Sequence, residues 1–427
     1  MSGRYLAIDL GAESGRGMIG WVQDGRLHLE EVHRFPNGPV VVRGHLYWDV
    51  LRLFEEIKQA VARAHAAGGG LAGIGIDSWG VDFALLGAGD ELIGMPHHYR
   101  DPRTEGVMAR VQARLGREEI FHRTGIQFMP INTIYQLVAL QETAPTLLEA
   151  SEQLLMIGEL FLFWLTGEKV GEFTNATTTQ LFDPVGGDWA ASLFEALRLP
   201  RRIMPRVVPP GTRLGPILGA VADEIGCPPS TPVIAPAVHD TGSAVAAVPA
   251  TGDDWCYLSS GTWSLLGVEV RAPVLSKEAL GFNLTNEGGV GGTFRLLKNI
   301  MGLWIIQECR RSWGRGGELA SYAELTKEAE AAGPFTALID PDDPTFLAPG
   351  DMPSRIAAFC RRTGQRPPQG RGEIVRCVLE SLAFKYRQVI ERLETVSGRR
   401  IETIHIVGGG SQNELLNRLT ADLTGRR

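Results

Sequence analysis

The stretch Tyr5-Leu-Ala-Ile-Asp-Leu-Gly-Ala-Glu-Ser-Gly-Arg16 constrains this chain more than any other. A short apolar strand runs into an acidic residue and then a glycine-serine turn, which is the form of a magnesium-nucleotide phosphate site. Two later stretches repeat it: Leu258-Ser-Ser-Gly-Thr262 and His405-Ile-Val-Gly-Gly-Gly-Ser-Gln-Asn413. Each is an apolar run that stops at small residues able to leave backbone N–H groups for oxygen atoms. Three such loops in one chain point to a kinase-like cleft.

The surrounding sequence sets the scale. At 427 residues the chain predicts two large lobes, because one hydrophobic core rarely grows past about 250–300 residues. With 44% hydrophobic and 21% charged residues it reads as an ordinary soluble protein. A formal charge of -7 without a long Lys/Arg run argues against nucleic acid or an anionic membrane and favours metabolites as partners. The strongest late apolar run, Leu154 to Leu165, is interrupted by Glu159 and too short for a bilayer, so no membrane association and a cytoplasmic location are expected. Cys227, Cys256, Cys309, Cys360 and Cys377 lack paired spacing and read as core thiols.

Residues 4 to 10, 16 to 23 and 26 to 33 read as strands, the last two joined at Asp24-Gly25 in a hairpin. From Asp49, the apolar residues Val50, Leu53, Phe54, Ile57, Val61 and Ala64 fall at helical steps up to Gly68-Gly69-Gly70. Leu71 to Ile76 is a further buried strand that delivers Asp77, and the order suits a mixed sheet covered by helices. Residues 104 to 210 read as mainly helical. Val233 to Val238 is a strand aimed at His239-Asp240-Thr241, with a small-residue helix over Gly242 to Val248. After a lobe boundary near Pro249 to Asp254, Tyr257 to Val268 echoes the strand-turn-strand layout of residues 5 to 20. Asn299 to Arg310 reads as a helix start and Glu373 to Leu393 as a long helix. Thr403 to Val407 reads as a strand entering a helix that carries Leu415, Leu416 and Leu419.

In order, these motifs resemble the carbohydrate-kinase family that includes glycerol kinase and xylulokinase, and within it the rhamnulokinase branch. The resemblance rests on Asp9 to Arg16, Gly75-Ile-Asp-Ser-Trp-Gly-Val-Asp-Phe83, Tyr99-Arg-Asp101, Arg123 to Gln127, Thr174-Asn-Ala-Thr-Thr-Thr-Gln180 and His239-Asp-Thr241 in the first half. In the second half it rests on Tyr257 to Ser264, Asn286-Glu-Gly288, Leu297 to Trp304 and Val407 to Gly410. It implies an α/β chain of two ribonuclease-H-like lobes, as in actin and hexokinase, each a mixed sheet flanked by helices, with the active site in the cleft between them. The expected division is residues 1–248 for sugar binding and catalysis and 249–427 for nucleotide. The implied reaction is ATP- and Mg²⁺-dependent phosphorylation of L-rhamnulose to L-rhamnulose 1-phosphate, by a monomer or weak homo-oligomer. Many family members carry lysine and tryptophan just after the segment matching Phe128-Met-Pro130. Asn132-Thr-Ile-Tyr-Gln136 stands there instead, which favours the rhamnulokinase branch. The resemblance also leads one to expect several tens of residues beyond Thr424, and without them Leu415, Leu416 and Leu419 are expected to be under-buried.

Phosphoryl transfer needs a nucleophilic hydroxyl, neutralised phosphate charge and exclusion of water. A carboxylate at a strand end is often only a helix cap. Asp240, matching the family's catalytic aspartate, is suited to accept the sugar hydroxyl proton, with His239 and Thr241 holding the sugar. Asp9, directly before the first phosphate loop, is better placed to organise Mg²⁺ through water. That loop, Gly11, Ala12, Glu13, Ser14, Gly15 and Arg16, would supply donors to phosphate oxygens. Gly261 and Thr262 form the opposing loop, and Gly409 and Gly410 admit the adenine-ribose portion. Trp79 offers an aromatic face to a deoxysugar methyl, and Asp82 a carboxylate to sugar hydroxyls. The resemblance assigns Gly80 and Asn299 to substrate and Gln307 to nucleotide. No Walker or dinucleotide fingerprint occurs. A nucleotide-binding sugar sensor, or a kinase of another ketose such as L-fuculose, are the alternatives.

Overall fold

The computed structural model of the chain describes every residue except Met1, Ser2, Gly69, Arg315, Gly316 and Glu318. The residues group into two compact units. The first comprises Met1–Ala246, Arg271–Leu275 and Asn286–Phe294, and the second Ala247–Val270, Ser276–Thr285 and Arg295–Arg427.

The first unit is built on a six-stranded sheet with the order Thr212–Pro216, Pro232–Ala235, Gly73–Ser78, Tyr5–Leu10, Ser14–Gln23, Arg26–Pro36. Tyr5–Leu10 pairs antiparallel with Ser14–Gln23 and parallel with Gly73–Ser78, so that Asp9 stands opposite both Arg16 and Asp77. Asp24 and Gly25 both take positive φ, 51° and 73°, as a two-residue hairpin turn of matching twist requires. The third strand runs to Pro36, beyond the expected 33, because Phe35 is buried against Gly15. Helix Val50–Ala66 is capped by the Asp49 carboxylate on Arg52 N–H at 3.2 Å. It buries Val50, Leu53, Ile57, Val61 and Ala64, of which each larger side chain contributes about 1.5–3 kcal/mol. Gly69, placed in its terminating run, lies outside the described residues. Residues 104 to 210 hold short helices, among them Thr133–Thr143 and Ile157–Thr166.

The five-stranded sheet of the second half has the order Thr285–Gly288, Phe294–Met301, Trp263–Val270, Trp255–Ser260, Thr403–Val407. Asn299 corrects the sequence reading: it lies in the strand Phe294–Met301, and the helix starts only at Trp304. That strand is buried on both faces except at Asn299, so its residues lack the alternation that marks a half-exposed strand. A second correction concerns the last helix, Glu414–Thr424. Leu415, Leu416 and Leu419 are 5%, 1% and 8% exposed, not under-buried, because this helix packs on the long helix Gly370–Ser397. All five cysteines are buried free thiols. Among the described residues no helix is long and apolar enough to cross a membrane.

Candidate active site

In the first unit three carboxylates converge where the sheet's strands end. Asp9 is held by Arg16, whose Nε and Nη2 lie 2.9 and 2.8 Å from Asp9 Oδ2. Asp77, on the neighbouring strand, is half-buried. Burial, with Asp9 and Asp240 adding like charge, holds its carboxyl well above the usual carboxylate range, and Arg16 opposes this. Asp240 opens the helix Asp240–Ala246, and its Oδ1 accepts Thr241 N–H at 2.5 Å and Thr241 Oγ1–H at 3.1 Å. Its carboxyl is raised mainly by burial, with Asp9 adding to the shift while His239 and the Thr241 donors oppose it. His239 Nε2 stands 3.5 Å from Asp240 Oδ1 and its Nδ1 3.2 Å from Glu287 Oε2, making a row of carboxylate, imidazole and carboxylate. Asp77 and Glu287 were not expected as site residues. Asp77 had a signal in ending a buried strand, as Asp9 does; Glu287, 48 residues from His239, had none beyond its motif.

The turn from Ala12 to Arg16 is tied from its carbonyl side. Asn37 donates from Nδ2 to Gly11 O at 2.8 Å and from its backbone to Glu13 O at 2.9 Å. Gly15 is needed for close approach, since a Cβ there would stand 2.3 Å from the Phe35 ring.

Trp79, Gly80 and Asp82 form a second cluster. Asp82 is fully buried, and its Oδ2 accepts Trp48 Nε1–H at 2.6 Å, Trp79 Nε1–H at 3.1 Å and Tyr99 N–H at 3.1 Å, while Oδ1 accepts Gln136 Nε2–H at 2.9 Å. Burial pushes it up to about 6 despite these donors. Its observed work is to fix Trp79, whose ring lies 4.0 Å from that of Trp48. Between them Val81 takes φ 67°, a conformation costly for a β-branched residue. Thr178 accepts its N–H, and Thr133 and Gln136 donate to its carbonyl. A separate cluster, His45, His97 and Asp101, has metal-ligand chemistry. Asp101 already accepts the amides of Leu46 and Arg103 and stands 4.0 Å from the Arg103 guanidinium, so its charge is matched without a cation.

In the second unit the turn after Trp255–Ser260 brings two expected residues together: Gln307 Nε2 lies 3.4 Å from Thr262 Oγ1. Thr262 O accepts the amides of Gly302 and Trp304, each at 3.2 Å, which ties the turn to the start of the helix carrying Gln307. The two expected glycines differ. A Cβ at Gly410 would stand 2.1 Å from Ser260 Oγ, whereas one at Gly409 would meet nothing within 4 Å. Gly410 is therefore consumed by packing, and Gly409 leaves open space. Asn299 belongs to this unit too, half-buried in its strand.

Comparison with known proteins agrees with this architecture. The N-terminal domain of the FGGY family of carbohydrate kinases matches residues 4–247 and its C-terminal domain residues 256–427. A rhamnulokinase of Bacteroides thetaiotaomicron is 46% identical over 425 residues, covering 100% of this chain and 87% of the relative. One of Oceanobacillus iheyensis is 43% identical over 421 residues, covering 99% and 88%. Among solved structures, gluconate kinase of Lactobacillus acidophilus superposes with a TM-score of 0.78 at 17% identity, covering 100% of this chain and 85% of that one. Plasmodium falciparum glycerol kinase with ADP gives 0.74 at 14%, again covering 100% and 85%. At such identities these two show the fold, the actin- and hexokinase-like pair of mixed sheets flanked by helices.

Proposed function

Because the chain belongs to the FGGY family of carbohydrate kinases and is an ATP-dependent carbohydrate kinase, we propose that its substrate is L-rhamnulose and its product L-rhamnulose 1-phosphate. The observation that carries the substrate is the 46% identity, over the whole chain, to a relative named rhamnulokinase. What supports the chemistry is the Asp240 carboxyl, raised by burial and flanked by His239 and Thr241.

In this reading the sugar's 1-hydroxyl oxygen attacks the γ-phosphorus of ATP. Its proton passes to the Asp240 carboxylate, the bond from γ-phosphorus to the bridging oxygen breaks, and ADP leaves with that oxygen's electron pair. Burial makes Asp240 more basic than an exposed carboxylate and so a better acceptor for that proton. His239 and Thr241 orient the sugar, with Trp79, Gly80 and Asn299 as further contacts and Asp82 acting through Trp79. Residues Ala12 to Arg16, Thr262, Gln307 and Gly409 serve the nucleotide, with Gly410 contributing only by letting its turn pack on Ser260. Mg²⁺, when bound, neutralises phosphate charge, and the oxygen-rich meeting of Asp9, Asp77 and Asp240 suits such a hard cation. Asp9 is its principal holder. The enzyme works in the cytoplasm as a monomer or weak homo-oligomer, on metabolites and not on nucleic acid or membranes.

ADP release against L-rhamnulose, L-fuculose, L-ribulose, L-xylulose and glycerol tests the assignment. The highest kcat/KM is expected for L-rhamnulose. A preference for another ketose keeps the chemistry and overturns the substrate, and absence of any sugar-dependent ADP overturns the reaction.

A further inference from the structure

Behind His239-Asp240-Thr241 lies a buried polar network that the reaction does not itself use. Glu172 is fully buried at the start of the short helix Phe173–Ala176, whose Thr174 N–H it caps at 3.0 Å from Oε1. Its Oε2 accepts the backbone N–H of Val238 at 2.8 Å and the hydroxyl of Thr174. Thr174 Oγ1 in turn accepts the backbone N–H of His239 at 3.1 Å. The two residues directly before Asp240 therefore hang by their amides from one carboxylate and one hydroxyl. From the other side, Val238 O accepts Ser78 N–H at 2.8 Å, so that the peptide is clamped against the strand carrying Asp77. A second buried carboxyl stands behind the first: Glu159 accepts Glu172 N–H at 2.9 Å and Asn175 Nδ2–H at 2.8 Å.

We infer that Glu172 and Thr174 are positioning residues for phosphoryl transfer, fixing the backbone of Val238 and His239 and through it the place of the Asp240 carboxyl. This rests on the reading of Asp240 as the proton acceptor. Burying a carboxyl is costly, and a neutral turn would serve for folding alone. What the carboxylate supplies is acceptor capacity at both oxygens, directed at donors whose positions define the loop. A glutamine cannot replace it: whichever way the amide turns, its NH₂ faces either Val238 N–H or Thr174 N–H. Since misplacing a reacting group by about 1 Å can cost roughly 100-fold in rate, the clamp bears first on turnover, and on sugar affinity only through His239.

The test is a double-mutant cycle on the whole enzyme, with melting temperature measured alongside kcat and KM. Glu172→Gln is expected to lower kcat about 100-fold with the KM for ATP little changed. Combined with Asp240→Asn it is expected to slow the enzyme no further than Asp240→Asn alone, because a clamp on an absent base has nothing left to position. Should Glu172→Gln fail to fold, Thr174→Val carries the test. It keeps the shape and removes the hydroxyl, and it should be slow while Thr174→Ser stays near the parent. Near-normal kcat in folded Glu172→Gln, or in Thr174→Val, overturns the inference while leaving Asp240 as base. Losses that multiply in the double variant overturn it too. Near-normal turnover of Asp240→Asn instead removes the reading beneath it.

Discussion

The two units begin alike and end differently. In each, a first strand pairs antiparallel with the next and parallel with a later one: Tyr5–Leu10 with Ser14–Gln23 and Gly73–Ser78, and Trp255–Ser260 with Trp263–Val270 and Thr403–Val407. At the next-to-last position of the first strand stands Asp9 in one unit and Ser259 in the other. Their parallel neighbours are Asp77 and Val407. One scaffold thus presents two facing carboxylates, with Asp240 added, and the other a hydroxyl and an isopropyl group. Burial, with like charge on the adjacent strand adding to it, raises the Asp77 carboxyl, and such costs cluster where chemistry is done. On the proposed reading the labour is divided, the acidic end handling proton and metal and the neutral end only binding.

The sharpest way to break that contrast is Asp240→Asn, which keeps shape and removes the proton acceptor. It should lower kcat about 1,000-fold, within the usual range for a lost general base, and leave sugar and ATP binding intact by calorimetry. Turnover near that of the parent protein would sink it. Asp9→Asn should act next most strongly: kcat falls at low Mg²⁺ and recovers in part as Mg²⁺ is raised, whereas Ser259→Ala at the matching position of the other unit leaves the Mg²⁺ titration unchanged. An identical shift in both variants would remove the distinction.

A third measurement concerns the buried carboxyls that only the first unit carries behind its site. Burial, with Glu172 adding like charge, pushes Glu159 up to about 8 from an ordinary value of 4.5. Between those limits the folded state keeps a proton that the unfolded chain releases, so this group's stabilisation is complete below about 4.5 and is lost as pH rises towards 8. Melting temperature should therefore fall with pH across that window, and Glu159→Gln should flatten the slope. Parallel curves for parent and variant would refute a proton on Glu159. The smallest effect is expected at the neutral end. Gln307→Ala removes one hydrogen-bonding side chain, worth about 1 kcal/mol, and should raise the KM for ATP roughly three- to tenfold with kcat unchanged.

How much of this was legible depended on the range of the forces involved. Local chemistry was readable: the Asp24-Gly25 turn, the helix beginning at Asp49 and the strand Thr403–Val407 all follow from neighbours in sequence. The Thr262 turn was legible too, because Ser-Ser-Gly punctuates an apolar run. What sequence hid was assembled from afar. Asp82 reads as a free sugar-binding carboxylate until Trp48, Tyr99 and Gln136 arrive with their donors. Glu172 carries no mark of its bond to Val238, 66 residues on. Asn299 was misread for the opposite reason. Its strand is buried on both sides, and without polar alternation Leu297 to Trp304 offers equal support to a helix.

The short returns of the chain to its first unit bear on heredity. Asn286 donates to Gly125 O and accepts from Val274 N–H, and Glu287 holds His239, yet all of them but Gly125 and His239 are encoded after the crossing near residue 247. A hybrid gene joined at that crossing would draw His239 from one parent and Glu287 from the other. Recombination between diverged relatives should therefore yield working enzymes more often when the junction falls beyond residue 294, where the returning segments travel with the half they serve.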